Sequence, residues 1–186
     1  MNTITANLVH PWMIMNGTVR CPVTMIREGV LTGNHGPVFW PAIVLHKNAI
    51  KWNNIPVTLN HPKANGKFVG VNHDDTTRSW IIGQIIKPRF DVSDKSIKAF
   101  IKIPFNHPQL SRIQNFREVS IGVFSDEVEI TGNHNGRNYT KVATTMTPDH
   151  LALLTDEKGA YSWEDGCGLR TNEFYEVEPL IQLKRY

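Results

Sequence analysis

Two β-rich runs in series, Trp80–Phe90 and Ser96–Phe105, constrain this chain more than any other feature. Only Asp91-Val92-Ser93-Asp94-Lys95 separates them, a stretch suited to a hairpin connection. In the second run Ile97, Ala99, Ile101 and Ile103 alternate with Lys98, Phe100 and Lys102, so one face is apolar and the other mixed. That period of two belongs to a half-buried strand. Ile55–Asn60, Glu118–Ile130, Tyr139–Thr145 and His150–Leu154 read as further extended segments, and Asn135-Gly136 favours a turn with positive φ. Helical signals are fewer: Trp40–Ile50, and Asn106–Asn115 with Pro108 near its start. The pattern predicts a mainly β (α+β) domain, antiparallel, a barrel or sandwich with peripheral helices.

Bulk properties bound the rest. The 186 residues suffice for one well-cored domain, expected over residues 20–169, with an N-terminal extension (1–19) and a C-terminal tail (170–186). With 40% hydrophobic and 20% charged residues the chain reads as a folded soluble protein. No apolar run approaches the ~20 residues of a helical membrane span. The apolar opening lacks the charged start of a secretory signal, its first basic residue being Arg20. Cys21 and Cys167 are too few for a disulfide framework or a four-cysteine zinc site, so a reducing interior is the default. Residues 1–93 carry nine Lys/Arg against four Asp/Glu, and residues 94–186 eleven against thirteen. Without a basic cluster interleaved with aromatics, this bias supports nucleic-acid binding only weakly.

Three segments carry candidate chemistry. In Thr58-Leu59-Asn60-His61-Pro62, His61 shares the parity of Val57 and Leu59, and Pro62 ends the strand. In Val119-Ser120-Ile121-Gly122, Ser120 lies on the face opposite Val119 and Ile121, and Gly122 leaves room beside its hydroxyl. A serine needs an adjacent base to act as a nucleophile. In Asp149-His150-Leu151-Ala152-Leu153, His150 opens an apolar strand. Taken singly, each segment reads more readily as a structural histidine, a solvated serine or a strand-edge cap than as catalytic machinery. Asn106-His107-Pro108 repeats the first tripeptide but reads as a helix entrance. His61, His73, Asp74 and Asp75 are conceivable metal ligands, yet no His-x-x-x-His or Cys-x-x-Cys spacing joins them, and neither metal nor cofactor is expected.

In their order, Asn60-His61-Pro62, Val119–Gly122 and His150–Leu153 resemble the assembly proteases of tailed phages and herpesviruses, the prohead protease and assemblin group. The resemblance spans roughly Arg20 to Leu169. It implies an assemblin-like closed or partly closed antiparallel β-barrel and a serine endopeptidase with a Ser-His-His triad. Ser120 would be the nucleophile, His61 the general base and His150 the third member, with Asp149 an alternative third member. Relatives carry Gly-Arg after the last segment to help hold the oxyanion; here Glu157-Lys158-Gly159 stands there, making Lys158, Gly159 and Gly122 the candidate oxyanion or substrate residues. The implied partners are scaffold and major capsid proteins, cut inside a procapsid in the host cytoplasm, together with the chain itself; self-association is possible. Scaffold is expected to come from another chain. Neither a membrane nor nucleic acid is an expected partner. Rivals are a non-catalytic virion or capsid-associated β domain that kept the fold, and a nucleic-acid- or peptide-binding β domain. Because both histidines must be unprotonated, activity is expected to fall between pH 8 and pH 5.

Overall fold

The computed structural model describes residues 12–33 and 36–169. In chain order the strands are β1 (Met13–Met15), β2 (Thr18–Arg27), β3 (Gly29–Gly33), β4 (Gly36–Trp40), β5 (Pro56–Leu59), β6 (Lys63–Ala64), β7 (Lys67–Phe68), β8 (Ile81–Asp91), β9 (Ser96–Pro104), β10 (Val119–Phe124), β11 (Glu127–His134), β12 (Arg137–Ala143), β13 (Thr147–Leu153) and β14 (Gly168–Leu169). The short α-helices are α1 (Ala42–Asn48), α2 (Asp75–Arg78) and α3 (Leu110–Ile113), and a 3-10 turn, Ala49–Trp52, extends α1.

The expected hairpin is β8–β9, paired from Gln84↔Lys102 to Asp91↔Ser96. Its alternation holds: Ile97, Ala99, Ile101 and Ile103 are each 0% exposed. Burying an Ile side chain stabilises by roughly 1.5–3 kcal/mol, so this face forms much of the core. Lys98, on the other face, is buried as well, held by Asp91 at 3.2 Å and Asp94 at 3.0 Å. The 3-10 turn brings Trp52 into the interior, where its indole N–H points at Met146 Sδ, 3.4 Å away.

The hairpin sits inside an eight-stranded sheet of order β1-β2-β9-β8-β5-β13-β10, with β14 on β2. A second sheet runs β11-β12-β4-β3, and β6–β7 form a separate small hairpin. The mainly β character matches the expectation. Two junctions are nevertheless parallel, β13 with β5 and β12 with β4. The described strands form open sheets rather than a closed ladder.

Three local expectations change. Glu118–Ile130 is two strands in two sheets, because Ser125 and Asp126 break it and Asp126 bonds instead to Thr144 and Thr145. Asn106–Asn115 supplies only the four residues of α3. Residues 12–19, assigned to an N-terminal extension, form β1 and the start of β2, with Trp12 and Val19 in the core. Residues 1–11 and the expected tail 170–186 lie outside the described residues.

Candidate active site

β10 and β13 meet in an antiparallel register of Ser120↔Ala152 and Gly122↔His150. β5 lies on the other side of β13, parallel to it, with Thr58 beside Ala152 and Leu59 beside Leu153. Beyond β5 the chain turns at Asn60, whose φ of 62° is left-handed and whose side chain bonds Thr155. His61 follows that turn. Three segments distant in sequence thus converge by pairing of neighbouring strands.

His61 Nδ1 lies 2.7 Å from His150 Nε2, the two rings at 73°. His150 Nδ1 lies 2.6 Å from Asp149 Oδ2, and that oxygen also accepts the Val71 N–H at 2.9 Å. The result is a continuous chain, His61–His150–Asp149–Val71. Adjacent residues on a strand ordinarily face opposite ways. Here the ladder passes from Gly122↔His150 to Val123↔Pro148, leaving Asp149 as the extra residue of a β-bulge. Bulges re-aim side chains, which is how a carboxylate comes to serve its own neighbour's ring.

Gly122 has a steric reason to be glycine. A Cβ there would stand 2.2 Å from His150 Cε1 and 2.4 Å from Nδ1, inside the imidazole. The His150 ring, 4% exposed, rests directly on the β10 backbone.

Burial, then the neighbouring His150 and Lys63, lower the His61 pKa to about 4. The imidazole is therefore neutral across the physiological range. Burial alone would raise the Asp149 carboxyl, but hydrogen bonds from His150 and from the Val71 amide hold it below the usual carboxylate range. Asp149 is accordingly an anion behind a buried histidine.

Ser120, His61, His150, Asp149 and Gly122 all line one cavity of about 500 Å³. The apolar Met25, Leu31, Val38 and Trp40 line the same cavity. No hydrogen bond joins Ser120 Oγ to His61 among the described residues.

Lys158 and Gly159 are not brought to this cavity. Lys158 pairs with Glu164 at the surface (2.9 Å), which, with the pull of nearby acids, raises its pKa. The Gly159 N–H donates to Glu118 Oε2 at 3.2 Å, so it has an acceptor already. A Cβ on Gly159 would lie 2.3 Å from the Val119 carbonyl, so this glycine serves close packing against β10. Of the conceivable metal ligands, His61 contacts His150, Asp74 caps α2 through the Thr77 amide, and Asp75 pairs with Arg78. Among the described residues no group of three or more His, Cys, Asp or Glu is placed to hold a metal ion.

Two contributors escape the motif reading. Phe68 lies edge-on to His61 with centroids 5.6 Å apart, and Val71 supplies the amide that anchors Asp149. Phe68 ends the β6–β7 hairpin and Val71 follows it; the hairpin's signature is Asn65-Gly66 at positive φ, the same turn signal as Asn135-Gly136. No protein-family model, curated protein or solved structure matches the chain.

Proposed function

We propose that the chain is a serine endopeptidase of virus head maturation. Ser120 is the nucleophile, His61 the general base and His150 the third member, acting on scaffold and capsid precursors and on the chain itself inside an assembling procapsid. The observation that carries the reading is the 2.7 Å contact of His61 Nδ1 with His150 Nε2 in the cavity that also holds Ser120. That contact occupies one ring nitrogen of His61 and leaves Nε2 for the serine proton. Ser120 Oγ adds to a peptide carbonyl as its proton passes to Nε2; the amine departs with that proton, and water then resolves the acyl ester by the same route in reverse. Serine–base contacts that are open without substrate commonly tighten when it binds.

The finer fold belongs to the same proposal: an assemblin-like, partly closed barrel. β14 pairs with β2 while the Leu169 N–H donates to the Arg117 carbonyl, two residues before β10, at 2.9 Å. Through β14 this bond links β2 to the chain entering β10, the last strand of the large sheet.

A second reading, a capsid-associated β domain without catalysis, is favoured by the missing Ser120–His61 hydrogen bond. Co-expression with candidate scaffold and capsid proteins separates the two. Processing by the wild type that disappears with Ser120→Ala supports the peptidase, and unchanged processing with that substitution refutes it.

A further inference from the structure

We infer that Asp149 is a positioning residue which, through the β-bulge in β13, sets the tautomers of His150 and His61 so that His61 Nε2 is the unprotonated nitrogen. This deepens the peptidase proposal and rests on it for its catalytic consequence.

The assignment follows from donor and acceptor chemistry. Ionised Asp149 can only accept, so the 2.6 Å contact places a proton on His150 Nδ1. A neutral His150 then has a lone pair on Nε2. The 2.7 Å contact to His61 Nδ1 is satisfied only if His61 donates, which puts its one proton on Nδ1. His61 Nε2 is left with the lone pair that a general base requires. Reversing the first bond reverses the whole chain and puts a proton on His61 Nε2, where it blocks the serine.

Three further observations support a built arrangement. The Val71 amide donates to the same carboxylate oxygen at 2.9 Å, fixing its orientation. The Gly70 backbone is so close to Asp149 Oδ1 that a Cβ there would lie 3.1 Å away. His61 and Val71 bracket the β6–β7 hairpin, so Asp149 and His150 fasten both ends of the segment that brings Phe68 against His61. An exposed carboxylate or a simple cap would need none of this. The tautomer role also differs from that of a third member: Asp149 reaches the base only through His150.

The test is ¹⁵N imidazole NMR on full-length protein carrying Ser120→Ala, so that it does not depend on turnover. The expected spectrum has His61 protonated at Nδ1 and bare at Nε2, with a slowly exchanging proton on His150 Nδ1. A protonated His61 Nε2, or a mixture of tautomers, overturns the inference without any variant at Asp149. Asp149→Ala is expected to convert His61 to such a mixture. Asp149→Asn is expected to keep the original pattern, since the Val71 N–H selects the amide oxygen for that position. An unchanged His61 signal in Asp149→Ala contradicts the proposal. In protein with Ser120 restored, Asp149→Ala is expected to lower kcat about 10²-fold with KM nearly unchanged. An effect confined to KM counts against a positioning role. The peptidase reading can fail at Ser120 while the spectra still decide the tautomers.

Discussion

Replacing Gly122 with alanine adds one carbon where the His150 ring now lies. The distances to Cε1, Nδ1 and Nε2 would be 2.2, 2.4 and 2.7 Å, all far inside van der Waals contact. Carbon atoms pack at about 3.5 Å or more, so the ring must withdraw by about 1.3 Å. It cannot do so freely, because its two nitrogens are held by His61 at 2.7 Å and Asp149 at 2.6 Å. Alanine suits the extended backbone here, so the damage is steric and confined to the ring. Overpacking of this kind costs about 1–3 kcal/mol of stability. A misplacement of about 1 Å in catalytic machinery costs about 10²-fold in rate. We expect Gly122→Ala to melt a few degrees below the wild type, to shift the His61 and His150 imidazole signals, and to lose about two orders of magnitude in kcat. Gly33→Ala is the control for melting temperature, since a Cβ there meets nothing within 4 Å. Full activity in Gly122→Ala with unmoved histidine signals would refute the geometry on which the site rests.

The remaining predictions concern titration, the oxyanion residues and the core. Burial lowers His61 from 6.5 to about 4, so the acid limb it sets in kcat/KM is expected near pH 4, replacing the fall between pH 8 and 5 that an ordinary histidine implies; a limb at 6.5 that moves on mutating His61 would contradict this. The unfolded chain takes up that proton near 6.5 and the folded one does not until about 4, so His61 makes stability fall as pH drops through this window, by up to about 3 kcal/mol. Urea melts of wild type and His61→Phe at pH 7 and 4.5 measure it, and equal pH dependence in both would rule it out. Lys158→Ala should leave kcat within about twofold, because Lys158 is exposed and paired with Glu164 outside the cavity; a loss near the 10²–10³-fold of an oxyanion donor would restore it to the site. Ile101→Ala, at 0% exposure in β9, should cost about 2–5 kcal/mol in denaturant melts, and a cost below 1 kcal/mol would mean the core is not as described.

The parts of the fold legible in the sequence are those written in local period. Ile97, Ala99, Ile101 and Ile103 alternate strictly, and β9 runs where they do. β2 shows the limit. Its Pro22 argues against an interior strand, yet β2 lies between β1 and β9, because β1 pairs only to Arg20 and β14 only from Val23, leaving a gap at the proline. The breadth of Glu118–Ile130 misled for a different reason: strand-like alternation runs on either side of Ser125 and Asp126, two poor strand formers whose break is fixed by tertiary hydrogen bonds to Thr144 and Thr145.

At the site, the parity of Ser120 with Gly122 and the placement of His61 at a strand end could be read directly. That His61 would meet His150 required strand pairing across a gap of 89 positions, which no local pattern carries. The sequence offers Asp149 as an alternative to His150; the bulge puts the two in series instead, and a bulge has no reliable mark in a single sequence. Position after the last segment points to Lys158 and Gly159, but their contacts with Glu164 and Glu118 take both elsewhere.

Whether Ser120 is a nucleophile activated by His61 is read from intact-mass analysis after treatment with a serine-reactive phosphonofluoridate, in which the serine oxygen displaces fluoride. We expect one adduct, mapping to Ser120, absent from Ser120→Ala and strongly slowed in His61→Ala. An adduct of the same yield in Ser120→Ala, or a folded wild type that takes up none, would contradict it.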